Sequence, residues 1–117
     1  MNELARLDVE QRPALCLLRV AGEIDISNAD ELSAAIEEAV PNGASRVVVD
    51  LSATTYLDSA GVQLIFLLVQ RLNDRRQELR LVVPEDAPIR AVLELTSLPT
   101  IVAVQDRLGE REGWPDN

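Results

Sequence analysis

Three consecutive valines, Val47-Val48-Val49, stand in the run Arg46 to Leu51 with no polar residue between them. A strand with one wet face alternates apolar and polar residues, so an unbroken run predicts a strand buried on both faces. Such strands belong to parallel sheets, whose neighbouring strands are joined through helices. The flanking sequence supplies candidate helices on both sides. Before the valines, Leu32, Ala35, Ile36, Ala39 and Val40 recur at helical spacing. Ser27 and Asp30 have the spacing of a capping box at the start of that helix, and Pro41-Asn42-Gly43 ends it. After the valines, a second helix runs from Ser59 through Val62, Leu64, Ile65, Phe66, Leu67, Leu68, Val69 and Leu72. It is apolar nearly all round, which predicts a central, buried helix. Arg71, Arg75 and Arg76 then suit the negative end of its dipole.

The remaining elements fit the same frame. Leu15 to Val20, bounded by Pro13 and Gly22, reads as a strand, and Leu4 to Val9 as a weaker strand that could pair with it as an edge hairpin. Gly22-Glu23-Ile24-Asp25 reads as a turn-like link, and Ser52 to Leu57 as a short loop. Leu79 to Val83 is a strand stopped by Pro84. Pro88 fits a first helical turn, and Ile89, Val92, Leu93 and Leu95 predict a short helix ending before Pro99. Ile101 to Val104 is the last expected strand. Strands alternating with helices imply an α/β fold, with a mostly parallel central sheet of about five strands and helices packed against it. Residues 3–108 form one expected domain. Residues 109–117, which hold the only Trp, are expected to be a flexible C-terminal tail.

Composition removes several classes of function. The 117 residues carry 20 acidic and 11 basic side chains, a formal net charge of −9. Nucleic acid and anionic membrane surfaces are poor partners for such a chain, whereas a basic protein surface would be steered towards it. There is no His and no Lys, so His-based acid–base chemistry, His ligation of a metal and lysine catalysis are absent. The single Cys16 lies in the apolar run Leu15-Cys16-Leu17-Leu18 and reads as a buried thiol with no basic partner to activate it. Met1 to Arg6 lacks the apolar core of a signal peptide. Val62 to Val69 is too short to span a bilayer. A cytoplasmic location without membrane insertion is expected.

One segment carries chemistry: Tyr56-Leu57-Asp58-Ser59-Ala60-Gly61-Val62. Asp58 or Ser59 could be a helix N-cap, with Gly61 allowing close packing. As a nucleophile Ser59 would need an activating base that the chain lacks. No Gly stands two residues before it, as a nucleophile elbow requires, and no lysine accompanies Gly61 as in a phosphate-cradling loop. What remains besides capping is modification from outside. A phosphate on Ser59 would add about −1.5 to −2 charges. Free amides and the positive dipole end at the helix start would tolerate it.

Val47-Val48-Val49-Asp50-Leu51-Ser52 followed by Tyr56 to Val62 resembles the signature of STAS domains, the family of bacterial anti-sigma factor antagonists and of related modules in anion transporters. Gly22-Glu23-Ile24-Asp25, followed by Asn28 and Leu32, resembles the family's second landmark. The resemblance implies a non-enzymatic anti-sigma factor antagonist without a cofactor. Ser59 then matches the serine phosphorylated by a partner anti-sigma factor, itself an ATP-dependent serine kinase. The unphosphorylated form would bind that kinase and release a sigma factor, and a phosphatase would restore it. Asp58 matches the acidic residue beside the phosphoacceptor, and Asp25 a position near it in space. Asp25, Asp58, Ala60 and Gly61 are the expected partner-binding residues. Asp25 could equally cap the helix near Ser27, and Glu23 shares that ambiguity. Ala60 departs from the Ser or Thr often found there, which leaves one hydroxyl. Thr54 and Thr55 are the alternative acceptors. A different class of function also fits: a STAS subunit of a membrane lipid-transport complex, with Ser59 only a structural helix cap. Assembly as a scaffold in a stress-sensing complex is a third. If the kinase supplies the nucleotide, the isolated chain should show no tight binding of ATP by calorimetry, and a tight complex would count against the antagonist reading.

Overall fold

The structure, a computed structural model, describes residues 4–108. β1 (Ala5–Arg12) and β2 (Leu15–Ile24) form an antiparallel hairpin, in register from Ala5↔Gly22 to Arg12↔Leu15. On its other edge β2 pairs in parallel with β3 (Arg46–Asp50), from Leu15↔Arg46 to Arg19↔Asp50. β5 (Glu78–Val82) lies parallel to β3, and β6 (Ala103–Gln105) parallel to β5. β4 (Thr54–Leu57) takes over where β3 ends and runs parallel to the last residues of β2. The result is a six-stranded mixed sheet in the order β1-β2-β3-β5-β6, with β4 on β2. It is the mostly parallel α/β sheet that the sequence pattern predicts, with one strand more. The expected tail at 109–117 lies outside the described residues.

Among the described residues four helices join the strands: α1 (Ala29–Ala39), α2 (Ser59–Asp74), α3 (Arg90–Glu94) and α4 (Leu98–Ile101). α1 buries Leu32 and Ile36, and α2 buries Leu64, Ile65, Leu68, Val69 and Leu72. They pack on one side of the sheet with Cys16, Leu18, Val47, Val49 and Leu81. Cys16 is fully buried, and burial pushes its thiol pKa up.

Val48 points the other way, into a separate buried cluster with Leu15, Leu17 and Val82, and Leu108 packs on it. The valine run is therefore buried on both faces, as its pattern predicts. Helices, however, contribute only to the first cluster. On the second face the apolar patch is bordered by ion pairs, Arg19–Asp50 at 3.4 Å and Arg80–Glu78 at 3.2 Å among them.

Several expectations need correction. Ser52 to Leu57 is not all loop, because Thr54 to Leu57 form β4. Gly22 to Ile24 are strand and not a link. α2 is no central helix: Gln63 and Gln70 are exposed and Phe66 and Leu67 half-buried, so its apolar circumference partly faces solvent. Ile101 belongs to α4, because Pro99 occupies the first turn of a short helix there, and β6 starts only at Ala103. Leu95 lies just past α3 and is 90% exposed, off the buried stripe assumed for it.

Gly22 is where β2 changes partners. Its φ is +101°, and the β2–β4 register shifts between Gly22 and Glu23. Its N–H donates to the Ala53 carbonyl at 3.0 Å, and that of Glu23 to the Leu4 carbonyl at 2.9 Å. A Cβ at Gly22 would lie 2.1 Å from the Leu4 carbonyl oxygen, a clash against backbone on the β1 side of the strand. Gly22→Ala should therefore destabilise the fold by more than about 2 kcal/mol. Gly43→Ala, whose new Cβ would meet nothing within 4 Å, should change stability by less than about 0.5 kcal/mol. Urea midpoints of the two variants measure the difference, and equal midpoints would remove the role given to Gly22.

Candidate functional site

β4 delivers Asp58 to the end of β2. Leu57 pairs with Ile24, and the Asp58 N–H donates to the Ile24 carbonyl at 3.3 Å. α2 then begins at Ser59 with Asp58 as its N-cap. The Asp58 Oδ1 accepts from the N–H groups of Ala60 at 2.9 Å and Gly61 at 3.2 Å. Its Oδ2 accepts from the Ile26 N–H at 3.2 Å. One carboxylate thus caps α2 and ties it to the segment that follows β2. This resolves the choice of cap that the sequence left open: Asp58 caps, and Ser59 is the first helical residue with an exposed side chain. It also corrects the expectation of free amides at this helix start, since Asp58 already engages those of Ala60 and Gly61.

Asp25 closes the segment on the other side. Its Oδ1 accepts from the Ser27 N–H at 2.8 Å and the Ser27 hydroxyl at 2.5 Å. These bonds, the hydroxyl's first, hold the Asp25 carboxyl below its ordinary pKa. Asn28, 1% exposed, fastens the turn from within. Its Oδ1 accepts from the Asp25 N–H at 2.9 Å, and its Nδ2 donates to the Glu23 carbonyl at 2.8 Å. The Ser27–Asp30 capping box does not form: Asn28 holds the N-cap position of α1, and the Ser27 hydroxyl turns to Asp25.

Gly61 lies against the strands. A Cβ there would come within 2.3 Å of Leu57 Cδ1 and 3.2 Å of Ile24 Cγ2, so its small size sets how closely α2 approaches β2 and β4. The alternative acceptors separate clearly. Thr54 is fully buried and its hydroxyl donates to the Val20 carbonyl at 2.7 Å, whereas Thr55 is exposed. Ser59, Asp58, Asp25, Ala60 and Gly61 are thereby gathered at one end of the sheet. Sequence reasoning missed Ile26, which contributes the N–H held by Asp58 and is 84% exposed. An apolar residue inside the polar stretch Glu23 to Asp30 was its only signal. It also gave Asn28 no role beyond a landmark.

Two layers, a mixed sheet and helices packed on one face, with a capped helix start beside a strand end, define an α/β domain with an exposed serine at one end of the sheet. Residues 6–111 match the STAS domain, and the chain belongs to that family. It is 31% identical over 94 residues to the anti-sigma-B factor antagonist of Listeria monocytogenes, covering 80% of this chain and 82% of that protein. Among solved structures it resembles an anti-sigma factor antagonist from Mycobacterium paratuberculosis, with a TM-score of 0.78 at 27% identity over 89% of this chain and 87% of that one. It also resembles the anti-sigma factor antagonist SpoIIAA in its unphosphorylated form, with a TM-score of 0.69 at 20% identity over 92% and 90% of the two chains.

Asp58→Ala would leave three backbone N–H groups without their acceptor. Loss of an N-cap costs about 0.5–2 kcal/mol, and the added tie to Ile26 puts the expected loss in the upper half of that range. Asp58→Asn, which keeps one acceptor oxygen, should lose less. Chemical denaturation measures both, and an unchanged midpoint for Asp58→Ala would mean that the carboxylate does not hold the site together.

Proposed function

We propose that the chain is an anti-sigma factor antagonist controlled by phosphorylation of Ser59. Unphosphorylated, it binds an anti-sigma factor serine kinase, and the bound kinase releases its sigma factor. The kinase transfers phosphate from ATP to the Ser59 hydroxyl, which ends the interaction, and a phosphatase acting on phosphorylated Ser59 restores it. In this reading the chain is a non-enzymatic binding protein of the cytoplasm. No helix of the described residues is long and apolar enough to cross a membrane.

The observation that carries the reading is the division of labour between neighbours. Asp58 performs the capping, so Ser59 has no structural task and stands exposed at the start of α2. A serine that only capped the helix, as the lipid-transport alternative requires, would occupy the position that Asp58 holds. The names of the relatives point the same way, since those described above are anti-sigma factor antagonists.

Charge supplies the switch. A phosphate on Ser59 adds about −1.5 to −2 charges beside the Asp58 carboxylate, at a site that Asp25 already makes acidic. The dipole of the 16-residue α2 favours the new charge, so the domain tolerates it. A partner surface fitted to a neutral hydroxyl does not. A penalty of about 2–4 kcal/mol weakens binding roughly 30- to 800-fold. The donor amides of Ala60 and Gly61 are already bound to Asp58, so the phosphate stands exposed to the partner and is not absorbed by the helix.

Mixing the chain with candidate kinases and ATP should place phosphate on Ser59 and give none in Ser59→Ala. Phosphate elsewhere, or persisting in Ser59→Ala, would remove the proposal. Ser59→Asp should weaken kinase binding by at least about 30-fold while leaving the melting temperature almost unchanged.

A further inference from the structure

Two large apolar side chains stand furthest into solvent among the described residues, Leu95 at 90% and Ile26 at 84% exposed. A lone exposed apolar residue needs no explanation. Leu95, just past α3, is one of these. Ile26 differs from it in what surrounds it. Its backbone is fixed, with its N–H held by Asp58 at 3.2 Å and the turn around it locked by Asp25 and Asn28. It borders an open groove of about 150 Å³ between α1 and α2, whose apolar lining is Ala29, Ala60, Leu64 and Leu67. The edge of that groove is acidic, through Asp30 within it and Asp25 and Asp58 beside Ile26. The groove also includes Ala60, the residue after Ser59, so whatever sits in it lies next to the serine.

We propose that Ile26 is the anchor by which the chain docks on its kinase: it enters an apolar socket of that protein, whose basic rim meets Asp25, Asp30 and Asp58 while the adjoining surface seats in the α1–α2 groove. The inference rests on the partner-switching reading and names the contact that reading lacks. A rigid apolar knob within a polar rim is the arrangement that gives an interface its strongest contacts. The turn is already ordered in the free chain, so little entropy is lost on docking. Charge complementarity selects a basic rim, for the three carboxylates around the knob and the net charge of −9 would repel an acidic one. Ser59 then lies inside the footprint, which is where an added phosphate opposes binding most.

The test compares Ile26→Ala with Leu95→Ala, an equally exposed apolar residue outside the site. Calorimetry would use the unphosphorylated full chain and the purified anti-sigma factor kinases of the host genome. Ile26→Ala should lower affinity about 10- to 50-fold and Leu95→Ala by less than about twofold. Ile26→Ala should also raise the KM for phosphorylation of Ser59 without lowering kcat, and leave the melting temperature unchanged. Wild-type affinity in Ile26→Ala, with Ser59→Asp still weakened, overturns the anchor and leaves the partner-switching reading standing. A drop in melting temperature that accounts for the lost affinity overturns the anchor as well. A wild-type chain that binds none of those kinases overturns both.

Discussion

The pairing of β4 with the last residues of β2 is the constraint on which the site depends. β2 is ten residues long and β3 only five, so β3 leaves the end of β2 without a neighbour. β4 fills that gap, with Leu57 opposite Ile24. The next residue along each strand is an aspartate, Asp58 on one and Asp25 on the other. Backbone register thus places two aspartates at one end of the sheet. The register shift at Gly22 makes this geometry possible, because a side chain there would collide with the Leu4 carbonyl. A glycine well before α2 in the sequence therefore helps fix what surrounds Ser59.

The two aspartates do similar work on different segments. Asp58 bonds the amides of the helix start and the Ile26 N–H, and Asp25 bonds Ser27. Each carboxylate accepts from backbone or local side-chain donors. These bonds also explain how an acidic site stays folded: the negative charges are offset by N–H donors and a helix dipole. A further negative charge at Ser59 finds those donors occupied and must be met from outside.

Much of this was legible in the sequence. Val47-Val48-Val49 gave a doubly buried strand, and the stripe from Leu32 to Val40 gave α1, because both patterns report burial directly. The failures have local causes. β4 is four residues, two of them threonines, and its pairing partner lies 32 or 33 residues away, so nothing in its own pattern separates it from a loop. The capping box at Ser27 failed because α1 starts one residue later, with Asn28 in the N-cap position, and the Ser27 hydroxyl donates to Asp25 instead. Likewise, α2 looked central since apolar residues surround it, yet its outward Phe66 and Leu67 remain half-buried at the surface. Periodicity reports which residues are apolar and leaves open whether the chain itself covers them.

That excess of apolar surface on α2 bears on what the domain is for. Between Ser59 and Gln70 the helix carries no charged side chain, although the chain as a whole is strongly acidic. Uncharged Gln63 and Gln70 and the half-buried Phe66 and Leu67 lie on the side away from the sheet. A helix that needed only to stay soluble would place Glu or Arg there, as α1 does with the exposed Glu31 and Glu38. A charge-free surface has little desolvation penalty when a partner covers it, and an acidic border keeps unsuitable partners away. On such a surface a single doubly charged group changes the balance more than it would among existing charges. The position where that group would be introduced, Ser59, is the first residue of the same helix.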